Sequence, residues 1–322
     1  MELTPIFSVS FNGAADAIQN RVIAINTNDE AGFVSDSCEI ELDNYDGALI
    51  LPRTEAMFEV SLGYRETGLT KIGTYFVKEI AIDGAQKTIR IKGNAARKSV
   101  RSQKSRTNEG TLSQVFQTMA SDSDLLPAFD DSFADIDLDY MPQFAESDMH
   151  YLTRIAQKIG AVAKPVDGHL VLTDDMQAKS VSGKTLPTKY IDMADISNYT
   201  CTFKETESSN GGGGTVYANW YDKTTGEYHL VHVGNGEPET ELDEIFPDEK
   251  SALAAAGSRF KYVTKNNTVL RFNTSGRADL FAELPLTLLN PPKDLHANWI
   301  ISMVQHSFRK NGFFSSLECK VR

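Results

Sequence analysis

The stretch that decides the reading is Phe144–Leu172, FAESDMHYLTRIAQKIGAVAKPVDGHLVL. Met149, Leu152, Ile155, Ala156 and Ile159 recur at spacings of three and four, so a helix places them on one face. Arg154, Gln157 and Lys158 fall on the other. Ser147 is a natural N-cap, Asp148 suits the positive end of the helix, and Gly160 stands where a left-handed C-cap residue belongs. Beyond the stop, Ala161–Pro165 and His169–Leu172 read as two strands around the turn Val166-Asp167-Gly168. The flanking segments on both sides read as β. The plan is therefore a compact α/β unit between two β halves.

In residues 1–96 the clearest strand is Cys38–Asp43, CEIELD. Cys38, Ile40 and Leu42 share one face and Glu39, Glu41 and Asp43 the other, the mark of a half-buried antiparallel strand. Ile6–Phe11, Arg21–Thr27, Phe58–Tyr64, Gly73–Asp83 and Thr88–Lys92 complete about six short strands, with Asn12-Gly13 as one turn. Close spacing of this kind suggests a small barrel or sandwich. Gly93–Gly110 is polar and reads as the exit from this half. Thr111–Ala120 is a short helix, with Thr111 and Gln114 at capping-box spacing, and Ala134–Pro142 is extended.

From Tyr190 the β pattern returns. Strands are expected within Asp195–Lys204 and at Thr215–Tyr221, Glu227–Val233, Thr268–Asn273, Leu284–Leu289, Trp299–Phe308 and Phe314–Val321. Ser208–Gly214 reads as a flexible linker, Gly234–Pro247 as an acidic, turn-rich segment, and Asp248 as the cap of an Ala-rich helix reaching about Tyr262. The expected division is 1–96 as a first β domain, 97–185 as a basic linker with a small α/β domain, and 186–322 as a second β domain with an insertion around 205–265. No residue-level repeat relates the two β halves.

Composition narrows the function. At 322 residues and 41% hydrophobic content the chain can bury several cores. No apolar run nears the roughly 20 residues of a membrane span, and the N-terminus lacks the pattern of a secretory signal. Cys38, Cys201 and Cys319 are dispersed in strand-like runs and read as reduced core thiols. A net charge of −12 argues against nucleic-acid binding by the whole surface. Arg97–Arg106, RKSVRSQKSR, is the exception. With no aromatic interleaved for stacking, it reads as a solvated loop or a strip facing an acidic protein neighbour.

Catalytic and metal-binding patterns are weak. Asp135, Asp137, Asp139 and Glu146 match calcium-loop spacing, but Tyr140 stands where that loop needs Gly, and Ile136 and Leu138 alternate with the acids as in a one-sided strand. His229 and His232 are three apart in a strand and so face opposite ways. His306 and His150 read as hydrogen-bonded structural histidines. Gly211–Gly214 lacks the Lys-Ser or Lys-Thr of a phosphate loop. The pairs Asp130/Asp131 and Asp174/Asp175, and the trio Glu237/Glu239/Glu241, fall in turn-like segments. Trp220 and Trp299 read as core residues. No catalytic residue, cofactor or metal ligand is assigned.

Three segments carry a resemblance. Arg97–Ala120, which includes RSQKSRTNEGTLSQVFQTMA, has a basic loop ending in Arg before a Gly-Thr-Leu helix start. Glu146–Leu170 has Glu-Ser-Asp, then Leu-Thr-Arg-Ile-Ala, then Gly-Ala and Gly-His-Leu. Trp299–Phe308 and Phe314–Glu318 give Trp, a strand ending His-Ser-Phe, an aromatic turn and a last strand. Together they resemble the phage late control D proteins, the baseplate hubs of contractile tails, to which the hub part of type VI secretion spike proteins is related. The resemblance implies two β-barrel tube domains in one chain, and a homotrimeric ring of six barrels joining a six-fold tail tube to a three-fold spike. The expected partners are further copies of the chain, the spike, the tube, and other baseplate and tape-measure proteins. No membrane or specific nucleic acid is expected, and the site would be the virion baseplate after synthesis in the host cytoplasm. Because the chain ends at Arg322, soon after the last strand, the spike is expected to be a separate protein. The alternatives are a tail-associated cell-wall hydrolase and a β-rich receptor- or carbohydrate-binding module.

Overall fold

The computed structural model describes residues 3–11, 18–138, 141–174, 178, 180, 184–203, 214–237, 239–265 and 268–321. The Asn12-Gly13 turn, Asp139, Tyr140, Asp175, Lys204 and the linker up to Gly213 lie outside them.

The molecule is mainly β, and its sheets are largely antiparallel. Strands β1 (Pro5–Phe11), β2 (Val22–Glu30), β3 (Ser37–Asp43), β4 (Met57–Tyr64), β5 (Gly68–Asp83) and β6 (Thr88–Asn94) make up the first half. Their order in the sheet is β1-β4-β5-β6-β3-β2. The alternation in CEIELD holds: Cys38, Ile40 and Leu42 are buried and pack with Phe58, Val60, Leu62 and Ile91.

The middle unit contains α1 (Lys98–Arg101), β7 (Gln103–Asn108), α2 (Leu112–Ser121), β8 (Leu126–Phe129), β9 (Met141–Ser147), α3 (Asp148–Ile159), β10 (Ala161–Val166) and β11 (His169–Asp174). Helix α3 follows its sequence pattern. Ser147 Oγ accepts the His150 amide, Gly160 sits at φ +74°, and Met149, Leu152, Ile155 and Ala156 are buried. The Thr111–Gln114 capping box is formed. Both helices share one core with β10 and β11. The order β10-β11-β8 includes a parallel β8–β11 pair.

The last part contains β12 (Lys189–Asp192), β13 (Ile196–Phe203), β14 (Thr215–Asp222), β15 (Glu227–Gly234), β16 (Glu239–Phe246), α4 (Glu249–Lys265), β17 (Thr268–Ser275), β18 (Pro285–Leu289), β19 (Asn298–Arg309) and β20 (Gly312–Val321). Strands β14, β15 and β16 form their own sheet, in the order β15-β14-β16, with α4 against one face. Gly234, at φ +95°, lets the chain cross the start of β14. A Cβ there would stand 2.2 Å from the Gly214 carbonyl oxygen. Segment 234–247 is thus not the turn-rich run expected but contains a strand. Its Thr240 and Leu242 are partly buried while Glu239, Glu241 and Asp243 face solvent.

The two β halves form one sheet. β2 pairs antiparallel with β19 over seven positions, from Met303 opposite Glu30 to Arg309 opposite Ala24. The path then runs β19-β20-β17-β13, with β18 beside β19 and β12 beside β18, giving twelve strands. Two cores lie on this sheet. The second gathers Leu270, Phe272, Leu284, Trp299, Ile301 and Leu317. The first is completed from the other half by Phe308 and Phe313.

Candidate assembly interface

The joint between the halves is built on β19. Its pairing with β20 shifts register between Ile301 and Met303, which leaves Ser302 as a bulge. Before the bulge β19 pairs with β18; after it, with β2. Bulges bend a strand and increase its local twist, which suits a strand that passes from one core to the other. Ser302 is not idle: its carbonyl accepts the Ala31 amide at 2.8 Å, and its hydroxyl donates to the Glu318 carbonyl at 3.0 Å.

Past the bulge, the His-Ser-Phe end of β19 acquires a physical meaning. His306 is 2% exposed, and its ring nitrogens lie 2.9 Å from Ser315 Oγ and 3.2 Å from the Leu280 carbonyl oxygen. Burial lowers its pKa to about 4, so the ring is neutral at pH 7. Phe308 meets Phe7 edge-on at 4.8 Å, and Phe313 meets Tyr64 at 5.6 Å. The C-terminal hairpin therefore closes the N-terminal core.

Next to the joint lies a buried ionic node. Lys164 of β10, 8% exposed, reaches Asp29 at 3.3 Å, Asp36 at 3.1 Å and the Glu30 carbonyl oxygen at 2.8 Å. The second Asp29 oxygen accepts the Ala282 amide at 2.8 Å. One node thus ties the first β half, the α/β unit and the last part of the chain. Burial, then the Asp29 charge, raises the Asp36 carboxyl. Burial works against the Lys164 ammonium, but the Asp36 and Asp29 charges outweigh it and hold its pKa above the ordinary value. Nothing in the sequence around Lys164, Asp29 or Asp36 marks them as partners; Lys164 is more than a hundred residues from either acid.

The basic stretch 97–106 is not a solvated loop. It forms α1 and β7, and its acidic neighbours belong to the same chain. Arg97 pairs with Asp124, Arg101 with Glu55, Lys104 with Asp148, and Arg106 with both Asp122 and Asp148. Asp148 is fully buried and also accepts from Gln143 Nε2 at 2.9 Å. The Glu-Ser-Asp signature is thereby accounted for residue by residue. Glu146 holds Arg154 at 2.6 Å, Ser147 caps α3, and Asp148 neutralises the basic strand. At the rim, Asp167 takes Thr74 Oγ1 at 2.7 Å and Lys71 at 2.8 Å, which fastens the β10–β11 turn to β5.

The free edges of the large sheet differ. On β1, the Gln19 side chain acts as a surrogate strand: Nε2 donates to the Phe7 carbonyl at 2.6 Å, and Oε1 accepts the Val9 amide at 3.2 Å. On β13, nothing among the described residues pairs with the outer edge. Tyr199 and Phe203 are 47% and 58% exposed there. Such an edge is a template for a strand of another chain.

The other sequence candidates are dispersed. Ile136 and Leu138 pack into the α/β core while Asp135 and Asp137 face solvent, but the expected extended run is not a strand over 134–138: Ala134 and Asp135 form a turn, and Asp137 makes only an isolated bridge to Thr111. Asp139 lies outside the described residues, and Glu146 is engaged with Arg154 and His150. His229 stacks on Trp220 at 4.8 Å, and His232 lies 5.7 Å from Tyr217 on the opposite face. His150 is exposed and lies 3.6 Å from Glu146. Asp130 caps a short 3-10 helix at Asp131–Phe133. Trp299 is fully buried and donates to the His296 carbonyl. Burial raises the Cys38 and Cys319 thiols well above their ordinary range, which leaves them poor nucleophiles. Among the described residues no three His, Cys, Asp or Glu side chains come together in a way that could hold a metal ion.

A family model described as phage tail baseplate hub (GPD) matches residues 76–312. A probable baseplate hub protein of Escherichia phage 186 is 25% identical, over 99% of this chain and 94% of that protein. Among solved structures, a tail protein from Neisseria meningitidis MC58 superposes with a TM-score of 0.72 at 13% identity, covering 98% of this chain and 96% of that one. A component of the E. coli type VI secretion system, described as structurally similar to bacteriophage T4 tail proteins, superposes at 0.63 with 10% identity. That match covers 98% of this chain and 76% of the other.

Proposed function

From the premise that the chain belongs to the phage tail baseplate hub (GPD) family, and so is a structural baseplate hub, we propose that three copies close into a ring. In that ring each chain contributes two β units, and a three-fold assembly presents six of them, matching a six-fold tail tube on one side and a three-fold spike on the other. The observation that carries this reading is the joint on β19. Two cores sit side by side on one continuous sheet, so one chain offers two units at a fixed mutual angle. Closed point-group assembly also answers the open β13 edge, which a neighbouring copy would cover. The division at 97–185 and 186–322, with the insertion at 205–265, belongs to the same proposal, as does closure of each β half into a barrel.

The partners in this reading are the spike, the tube and other baseplate and tape-measure proteins. The chain acts mechanically and catalyses no reaction; it is made in the host cytoplasm and works in the virion baseplate. Native mass spectrometry of the chain, alone and with its spike protein, tests the ring. A species of three times the 35.6 kDa chain mass is expected. A stable dimer, or a chain that remains monomeric with the spike bound, would sink it.

A further inference from the structure

The inserted sheet plays no part in the joint. Its inner face, through Val216, Ala218 and Phe246, packs on α4. Its outer face carries exposed apolar side chains. The register places Leu230 of β15 and Ile245 of β16 on either side of Asn219, and Tyr228 opposite Tyr221. Tyr228, Leu230 and Ile245 are 66%, 56% and 55% exposed. The next row across the sheet is polar. Glu241 flanks Tyr217 and accepts from Asn219 Nδ2, while Glu239 accepts from the Tyr217 hydroxyl. The face is therefore half apolar and half acidic, with adjacent strands about 4.8 Å apart.

Charge is concentrated here. Residues 214–249 hold nine carboxylates and one lysine, a net of −8 out of −12 for the whole chain. Among the described residues only Glu244 of these acids is ion-paired, with Lys158, whereas acids around Arg106 and Lys164 are matched by cations within the chain. The exposed apolar patch and the largely unmatched charge together select an occupant. A second copy of this chain would bring its own carboxylates against these and be repelled. The geometry points to a docking surface for a cationic, amphipathic segment of a different protein, its aliphatic side chains on Tyr228, Leu230 and Ile245 and its lysines or arginines on Glu239 and Glu241.

The test uses the full chain and a short fluorescein-labelled peptide of alternating lysine and leucine, read by anisotropy. A glutamate–leucine peptide serves as control. Saturable binding of the cationic peptide alone is expected, weakening as salt rises. E239K/E241K should weaken it about tenfold, and L230D about fivefold, since exposed charge pairs and a partly exposed leucine are each worth little singly. E109K/D294K makes the same net charge change at exposed positions far along the chain and should cost less than about twofold. All these side chains lie at the surface, so an unchanged melting temperature certifies the fold of each variant. Equal loss in both charge-reversed variants would reduce the effect to non-specific attraction and overturn the proposal. So would non-saturating binding, or a concentration-dependent dimer abolished by L230D, which would assign the face to a second copy. Peptide binding to the isolated chain does not require a ring, so this proposal and the trimer reading can fail separately.

Discussion

The junction between the two β halves and the junction between the first half and the α/β unit are made of different materials. The halves are joined by backbone: seven paired positions from β2 to β19, sealed by Phe308 and Phe313 in the neighbouring core. The α/β unit is attached by side-chain charge, through Lys164 with Asp29 and Asp36, Arg101 with Glu55, and Lys71 with Asp167. A backbone ladder with an apolar seal is insensitive to salt, and its geometry is fixed by hydrogen bonds. Ion pairs fix position too, but their worth depends on how deeply they are buried. The fold thus combines a rigid joint, where two units must keep a constant angle, with an electrostatic attachment beside it.

Breaking the joint should have the largest effect. Phe308→Ala removes a 7% exposed ring from the seal and should cost about 4 kcal/mol in urea unfolding, with the first half losing protection from hydrogen exchange before the second. Next comes the buried node. Lys164→Met strands two carboxylates, Asp29 and Asp36, and should cost about 3 kcal/mol; the surface pairs do not share this sensitivity. A loss below 1 kcal/mol would mean that the node is no keystone.

Acid attacks the joint from inside. His306 titrates near 4 in the folded chain against about 6.5 unfolded, so between these values the unfolded state binds more protons. Its contribution is complete above pH 6.5 and declines as pH falls toward 4, by about 3 kcal/mol in all. Unfolding curves of wild type and His306→Gln between pH 7 and 4 isolate that slope, which the variant should lack. A smaller effect, about 2 kcal/mol, is expected for Asp148→Asn, because Lys104 and Arg106 are partly exposed and can turn to water when their acid is lost. Smallest of all is Asp167→Asn. Its pair with Lys71 is nearly half exposed and should contribute under about 1 kcal/mol, all of it lost at high salt.

How much was legible in the sequence follows the same divide. The α3 helix with its cap, the alternating strand at Cys38–Asp43 and the capping box at Thr111 were readable because each depends on residues a few positions apart. Strands β7 and β9 were not. QKSRTN and MPQFAES carry no apolar alternation; their ladder is held by the charges around Asp148 and by Gln143. The Arg97–Arg106 run was visible as charge, but whether its partners lay in this chain or another was not. Strand β16 had a usable signal in Thr240 and Leu242 alternating with acids, masked by the Gly and Pro residues just before it.

What the sequence by itself determined is local: helix faces, caps, the strands that alternate, and the surplus of acid. Those follow from the chemistry of neighbours along the chain. Only the tertiary structure decided that the two β halves share one sheet, that Phe308 fills the far core, and that Lys164 finds Asp29 and Asp36. Each of these is a meeting between residues more than a hundred positions apart, and it is set by which surfaces the folded elements must hide from water together.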